Sequence, residues 1–336
     1  MKQAKLVALL LCGIVLVILP LLISNAFVLH LLILCLVYAV ITSNWDLVVG
    51  YSGIFNFGHL AFFAVGAYSS AIVAISSGIS PWWCLPIGGG IAVVASLVVA
   101  LPSLRLRGLY FSLFTFAFQQ IFYSLILINP GNLTGGSQGL MFIPALKLGS
   151  IVISRTNKFP SYYLALAFFL LSSIVLYRIV RSKAGLAFQA LRDSEEYAIS
   201  RGINPFKYKL GAVMTSAFFT GLIGAFYAHY MRIIGPAIIG WQIFILALAM
   251  LVLGGLGSLF GPMIASFGLL FVSEFLTSLG PYRFIILAFV MLFALLISPG
   301  DIVRKLQLAT TAIRSKLRKP DDARMDGENS EATPRV

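Results

Sequence analysis

The sequence predicts an all-α, polytopic membrane protein with about ten transmembrane helices. Three observations predict it. First, 60% of the 336 residues are hydrophobic and only 10% are charged, with a mean hydropathy of +0.97, whereas a soluble domain carries about 25% charged residues. Second, the apolar runs recur at about 18–22 residues, the length an α-helix needs to cross a hydrocarbon core of about 30 Å. Third, the ~10-residue alternating segments of an outer-membrane barrel are absent. The net charge of +13 reads as a topology signal rather than a nucleic-acid footprint, because the basic residues sit between and after the apolar runs.

Taken in order, Lys2 and Lys5 precede span 1, Leu6–Ile23. Its apolar run exceeds the usual 7–15 residues of a signal peptide and no small-x-small site follows, so it is expected to stay uncleaved. Span 2 is expected at Phe27–Thr42, followed by the polar interruption Ser43-Asn44-Trp45-Asp46. Span 3, Ile54–Ile75, carries Asn56 and His59 near its start. Spans 4 and 5 are Cys84–Leu101 and Leu109–Ile128. Residues 129–161 have mixed character and open with NPGNLTGGSQGL, which is loop chemistry. Spans 6 to 10 follow at Tyr162–Val180, Leu210–Tyr230, Trp241–Leu253, Leu259–Leu279 and Phe284–Ser298. Span 8 is short and runs into Gly254-Gly255-Leu256-Gly257, which suggests a partly broken or re-entrant pair. Cys12, Cys35 and Cys84 lie in or beside apolar segments without paired spacing, so they read as packing thiols rather than a disulfide or zinc framework.

Ten spans with a cytoplasmic N-terminus satisfy the positive-inside rule. Of 24 Lys and Arg residues, only Lys147, Arg155, Lys158, Arg232 and Arg283 then fall outside. The other nineteen, including Arg105, Arg107, the cluster Arg178–Lys209 and the tail from Arg304, fall inside. Residues 1–303 thus form the membrane domain. Residues 304–336 form a charged tail, expected to be cytoplasmic and disordered.

Residues 182–209, SKAGLAFQALRDSEEYAISRGINPFKYK, are the longest charged stretch between apolar segments. They read as one helix, with Phe188, Leu191, Ala198 and Ile199 near one face and Arg192, Asp193, Glu195 and Glu196 mostly off it. Gly202 is placed for a left-handed helix end, with Pro205 as a stop. The pattern fits either a solvated loop helix or one that docks on a cytoplasmic partner.

No GxxxxGK[ST], HExxH, paired carboxylates or Cys/His nucleophile pattern occurs, so neither a P-loop nor an enzyme active site is expected. Ionisable residues in or near spans are functional candidates. Asp46 is expected at the cytoplasmic end of span 2 and Glu274 near the outer end of span 9, both within reach of water. His59 either meets the solute or hydrogen-bonds a neighbouring helix. Glycines cluster at Gly50, Gly53, Gly58 and Gly66, at Gly254, Gly255, Gly257 and Gly261, and at Gly221 and Gly224. Such residues allow close helix approach, or irregular backbone beside a cavity.

Four motifs, in order, carry a resemblance. GYSGIFNFGHLAFFAVGAYSSA (50–71), LTGGSQGL (133–140), GLAFQALRDSEEYAISRGINPFKYKL (185–210) and LVLGGLGSLFGP (251–262) are similar to signatures of LivM-like permease subunits of the bacterial branched-chain amino-acid ABC importers. Leu60 and Thr220 stand where that family favours alanine, and Glu196-Tyr197 where it favours small residues.

The resemblance implies the ABC importer permease fold in the bacterial inner membrane, with both termini cytoplasmic. It implies four protein partners, two cytoplasmic ABC ATPase subunits, a second homologous permease and a periplasmic solute-binding protein, with the lipid bilayer around them. It implies no enzyme activity, no nucleic acid and no cofactor on this chain, ATP being used by the partner subunits. It also implies that residues 182–209 dock on an ATPase through Gly185, Phe188, Leu191, Arg192, Asp193, Glu195 and Gly202. Asn56, His59, Thr134, Gly135, Gly136, Gly254 and Gly255 would lie near the translocation path or its mouth. Two alternatives stay open: the same machine carrying urea, short amides or another small polar solute, and an ATP-independent channel or ion-coupled carrier.

Overall fold

The computed structural model describes residues 16–292 except positions 22, 24, 105, 107, 130, 131, 150, 281, 284, 287, 290 and 291. Most of span 1, Arg105 and Arg107, most of span 10, and the tail 304–336 lie outside the described residues, as does Cys12. Within them the chain is helical almost throughout. Seven helices are long and apolar enough to cross a membrane, and Gly261–Phe275 is a shorter apolar helix.

Helix α1, Ala26–Asp46, is capped by Asn25, whose Oδ1 accepts from the Phe27 amide at 2.8 Å, and it continues through a wide π turn, Leu47–Tyr51. Helices α2 (His59–Ser77), α3 (Pro81–Ser103) and α4 (Leu109–Ile128) follow. The expected loop 129–161 contains a short antiparallel hairpin, β1 (Leu146–Leu148) with β2 (Ile151–Ile153), Leu146 opposite Ile153. Helix α5 is Lys158–Val180. Two short helices, α6 (Lys183–Asp193) and α7 (Glu195–Ser200), lead to the long α8, Pro205–Met231. A 3-10 turn, Pro236–Ile239, precedes α9 (Trp241–Gly254), and α10 (Gly261–Phe275) runs into a second 3-10 turn, Leu276–Leu279.

Span 5 falls on α4 residue for residue. Span 2 ends earlier in the sequence reading than in the structure, because Ser43–Asp46 stay helical. Most of their polar groups pair inside the bundle, although Asn44 Oδ1 and Asp46 Oδ2 find no partner among the described residues. Thr42 Oγ1 meets Ser266 Oγ at 2.9 Å, Asn44 Nδ2 donates to Ser172 Oγ at 2.8 Å, and the Asn44 carbonyl accepts from Ser216 Oγ at 2.7 Å. Polar residues that pair across helices need no interruption of the span. Accordingly α1 is the central helix and packs against α5, α8 and α10.

A second packing centre joins α2, α3 and α8. Gly66 on α2 lies so close to Gly221 on α8 that an added Cβ would sit 2.6 Å from the Gly221 carbonyl carbon, and one on Gly88 of α3 would sit 2.8 Å from the Gly66 oxygen. Small residues here let three backbones meet without intervening side chains. Cys35 and Cys84 are buried free thiols. At the far end of α8 from the α6–α7 loop, loop 129–157 is stitched to the following segment. Leu140 and Ile234 exchange backbone hydrogen bonds of 2.8 and 3.0 Å, and the Ile143 amide donates to Arg232 O at 3.1 Å.

Candidate functional site

The site centres on the α6–α7 loop. Three side chains shape it locally. Ser182 caps α6 by accepting from the Ala184 amide at 3.1 Å, Ser194 caps α7 by accepting from the Tyr197 amide at 3.4 Å, and Asn204 caps α8 by accepting from the Lys207 amide at 3.2 Å. Each cap satisfies an amide that the first helical turn leaves free.

The single helix expected over this stretch is therefore two. Ser194 is extended (φ −159°, ψ 105°), and its hydroxyl starts α7 afresh, with Glu195 and Glu196 in the favourable first turn. The break resets the helical phase. Phe188, Leu191 and Ala198 are buried, but Ile199 is 51% exposed rather than on the inner face. Gly202 is left-handed (φ +81°) as expected. Pro205 does not act as a stop; it occupies the first turn of α8, where its missing N–H costs nothing.

The sequence reading offered Phe188 and Leu191 as docking contacts. In the structure both are 4% exposed and turned into the chain, Phe188 edge-on to Tyr208 of α8. Gly185 is likewise buried, and a Cβ there would strike the Val180 backbone. These three anchor the loop to its own membrane domain. The face left open carries Leu186, Tyr197 and Ile199 together with Asp193, Glu195 and Glu196. Glu195 also pairs with Lys209 at 2.8 Å, tying α7 to α8.

Arg192 bridges the two faces. Its Nε donates to Asp193 at 3.1 Å on the exposed side, and its Nη1 donates to the Gly50 carbonyl at 2.8 Å on the inner side. Gly50 belongs to the π turn of α1, and the Gly257 turn between α9 and α10 packs directly against it. The Gly257 amide donates to Asp46 Oδ1 at 2.7 Å, and the Leu259 amide donates to the Tyr51 hydroxyl at 3.3 Å. Gly257 has φ +77°, and a Cβ on it would lie 2.9 Å from Arg192 Nη1. The positive φ favours glycine there, and any larger residue would also push on the end of the Arg192 side chain. Asp46 is therefore not wet, as its helix-end position had suggested, but completely buried. Nothing in the sequence separation of 142 residues between Gly50 and Arg192 announces their contact.

Asn56 and His59 form a second cluster, deeper in the bundle. The Asn56 carbonyl accepts from Trp45 Nε1 at 2.6 Å, and its Oδ1 accepts from the Gly58 amide at 2.9 Å. His59 stacks on Trp45 with centroids 5.6 Å apart, and its Nε2 meets Thr220 Oγ1 at 2.9 Å. Both residues are fully packed, at 1% and 0% exposure. Thr134 Oγ1 donates to Ile126 O at 2.8 Å and holds Asn129 at the end of α4, with Gly135 and Gly136 in left-handed turns (φ +73° and +58°). This loop is at the opposite end of the bundle from Gly254 and Gly255, which lead into the Gly257 turn beside Arg192. The structure thus separates the expected path residues into three places. Glu274 is at the Thr134 end too, lining a cavity of about 190 Å³ with Gln242 and Arg283.

Residues 27–296 match the family described as branched-chain amino acid transport system / permease component. The chain is 32% identical over 291 residues to the high-affinity branched-chain amino acid transport system permease protein LivM of Escherichia coli (strain K12), covering 80% of this chain and 68% of that one. It is 30% identical over 289 residues to the LivM protein of Salmonella typhimurium, with the same coverage. To the LivH permease protein of Escherichia coli (strain K12) it is 26% identical over 286 residues, 79% of this chain and 91% of that one. No solved structure matches. An all-α membrane bundle in which three of the four motifs meet at Gly50, Arg192 and Gly257, matched over most of its length, belongs to the family of branched-chain amino acid transport system permease components.

Proposed function

We propose that this chain is one permease subunit of an ATP-driven importer that passes branched-chain amino acids of the Leu/Ile/Val type across the bacterial inner membrane. It pairs with a second, homologous permease. It receives solute from a periplasmic binding protein and is driven by two cytoplasmic ATPase subunits, which bind the ATP. Both termini and the α6–α7 loop face the cytoplasm in this reading.

The observation that carries it is the loop's double anchorage. Its inner face is fixed into the bundle by Phe188, Leu191 and Arg192, while its outer face presents acidic and apolar side chains to the aqueous side. A loop so keyed can transmit movement of a bound ATPase to the transmembrane helices. Asp193, Glu195 and the flanking exposed Leu186 and Tyr197 are the contacts. Gly202 sets the return to α8.

The test is uptake of radiolabelled leucine into proteoliposomes holding the whole assembly. Uptake should require internal-face ATP, and changing Asp193 and Glu195 together to Lys should abolish it while the protein still inserts. ATP-independent uptake by this chain alone contradicts the proposal in favour of a channel or carrier. Competition by urea or short amides, but not by valine, reassigns the solute.

A further inference from the structure

Asp46 is a carboxylate buried completely at the joint of the α1 π turn and the α9–α10 turn. Its Oδ1 accepts the Gly257 amide at 2.7 Å. The next amide in the turn, that of Ser258, donates to Gly255 O at 3.2 Å. Its Oδ2 has no hydrogen-bond partner among the described residues. A buried carboxylate oxygen left unpaired is costly and calls for a partner.

The cation placed to arrive is Arg192. Its Nη1 is already inside the joint on the carbonyl of Gly50, four residues along from Asp46. Gly50 abuts the Asp46 carboxylate, and the bare Cα of Gly257 sits beside the guanidinium. A guanidinium has five N–H donors in a rigid fork, so it can pass from one acceptor to another nearby without losing its partner on the other side.

Resting on the proposed docking of the α6–α7 loop, we propose that Asp46 is the receiver of that loop's motion. When the loop is driven by a partner, Arg192 moves from the Gly50 carbonyl onto Asp46 Oδ2. It thereby pulls the α1 π turn and the α9–α10 turn as one body. Asp46 and Arg192 are positioning residues: they touch no solute, and they set how much helix movement each ATPase cycle produces.

The experiment uses the complete assembly in proteoliposomes and reads two quantities, recovery of ATPase chains with the tagged permease and leucine taken up per ATP hydrolysed. Asp46→Asn keeps the shape and the Oδ1 acceptor. Arg192→Gln removes the charge at a half-exposed position. Asp46→Asn should retain ATPase recovery, and both variants should lower the uptake-to-hydrolysis ratio roughly tenfold, within the range of allosteric coupling energies. The double variant should be no worse than the poorer single one, because the two act as a pair. A normal ratio in Asp46→Asn, or single deficits that multiply in the double variant, overturns the proposal. If Asp46→Asn does not assemble, Arg192→Lys decides. A lysine that keeps the charge should retain most of the ratio lost in Arg192→Gln, and equal loss in the two overturns it. Failure of the unaltered chain to recover any ATPase overturns instead the docking reading beneath it.

Discussion

At Gly66 a single methyl group decides whether two helices can meet. A Cβ there would collide with the Gly221 backbone, which cannot yield as a flexible side chain could. Gly90, on the neighbouring α3, has nothing within 4 Å of its would-be Cβ. Alanine in its place should gain about 0.5–1 kcal/mol of helix stability. Thermal unfolding in mild detergent should therefore fall for Gly66→Ala and hold or rise for Gly90→Ala. Equal melting temperatures for the two would show that close backbone approach does not hold α2 to α8. Thr220 makes a related point. It departs from the alanine of the resembling family, and its hydroxyl is the partner of His59. The sequence displayed the departure; only the packing supplied the reason.

At the scale of the element, the α6–α7 loop divides into a face that anchors and a face that is open. Phe188→Ala should empty a packed site against Tyr208 and cost on the order of 3–5 kcal/mol, the usual range for a buried Phe. Leu186→Ala, at a position 66% exposed, should leave stability nearly unchanged while weakening recovery of ATPase chains. Denaturation midpoints and co-purification yields measured on both variants check this division, and a reversed pattern refutes it. The sequence identified the loop, its left-handed end at Gly202 and most of its buried face. It missed the break at Ser194, although a serine followed by two acidic residues is a capping signal, because apolar spacing continued smoothly across it. It did not show that this face is covered by the chain itself, with Phe188 and Leu191 each 4% exposed. A stripe of apolar residues shows that a helix buries a side, but not whether the cover is its own chain or another's.

For the whole molecule, the spans within the described residues were legible because length and hydropathy alone select them in a lipid solvent. What escaped was polar content inside the bundle. Ser43–Asp46 look like a break in the apolar run, yet they continue α1 because Ser172, Ser216 and the Gly257 amide receive them. Contacts between motifs some 140 to 210 residues apart leave no local trace, so the joining of Asp46, Gly50, Arg192 and Gly257 could be found only in three dimensions. That joint makes the molecule more than a set of spans: the loop and the α1 and α9–α10 turns share one point of attachment.

The central claim is that the loop's open face docks on an ATPase while its buried face grips the membrane domain. The most direct measurement is site-specific photo-crosslinking in the intact membrane, with the reactive residue placed at Tyr197 or at Phe188. These positions are 58% and 4% exposed. The account predicts an adduct with an ATPase chain from position 197 and adducts only within the permease from position 188. An ATPase adduct from position 188, or none from position 197 in a transporting assembly, would contradict it.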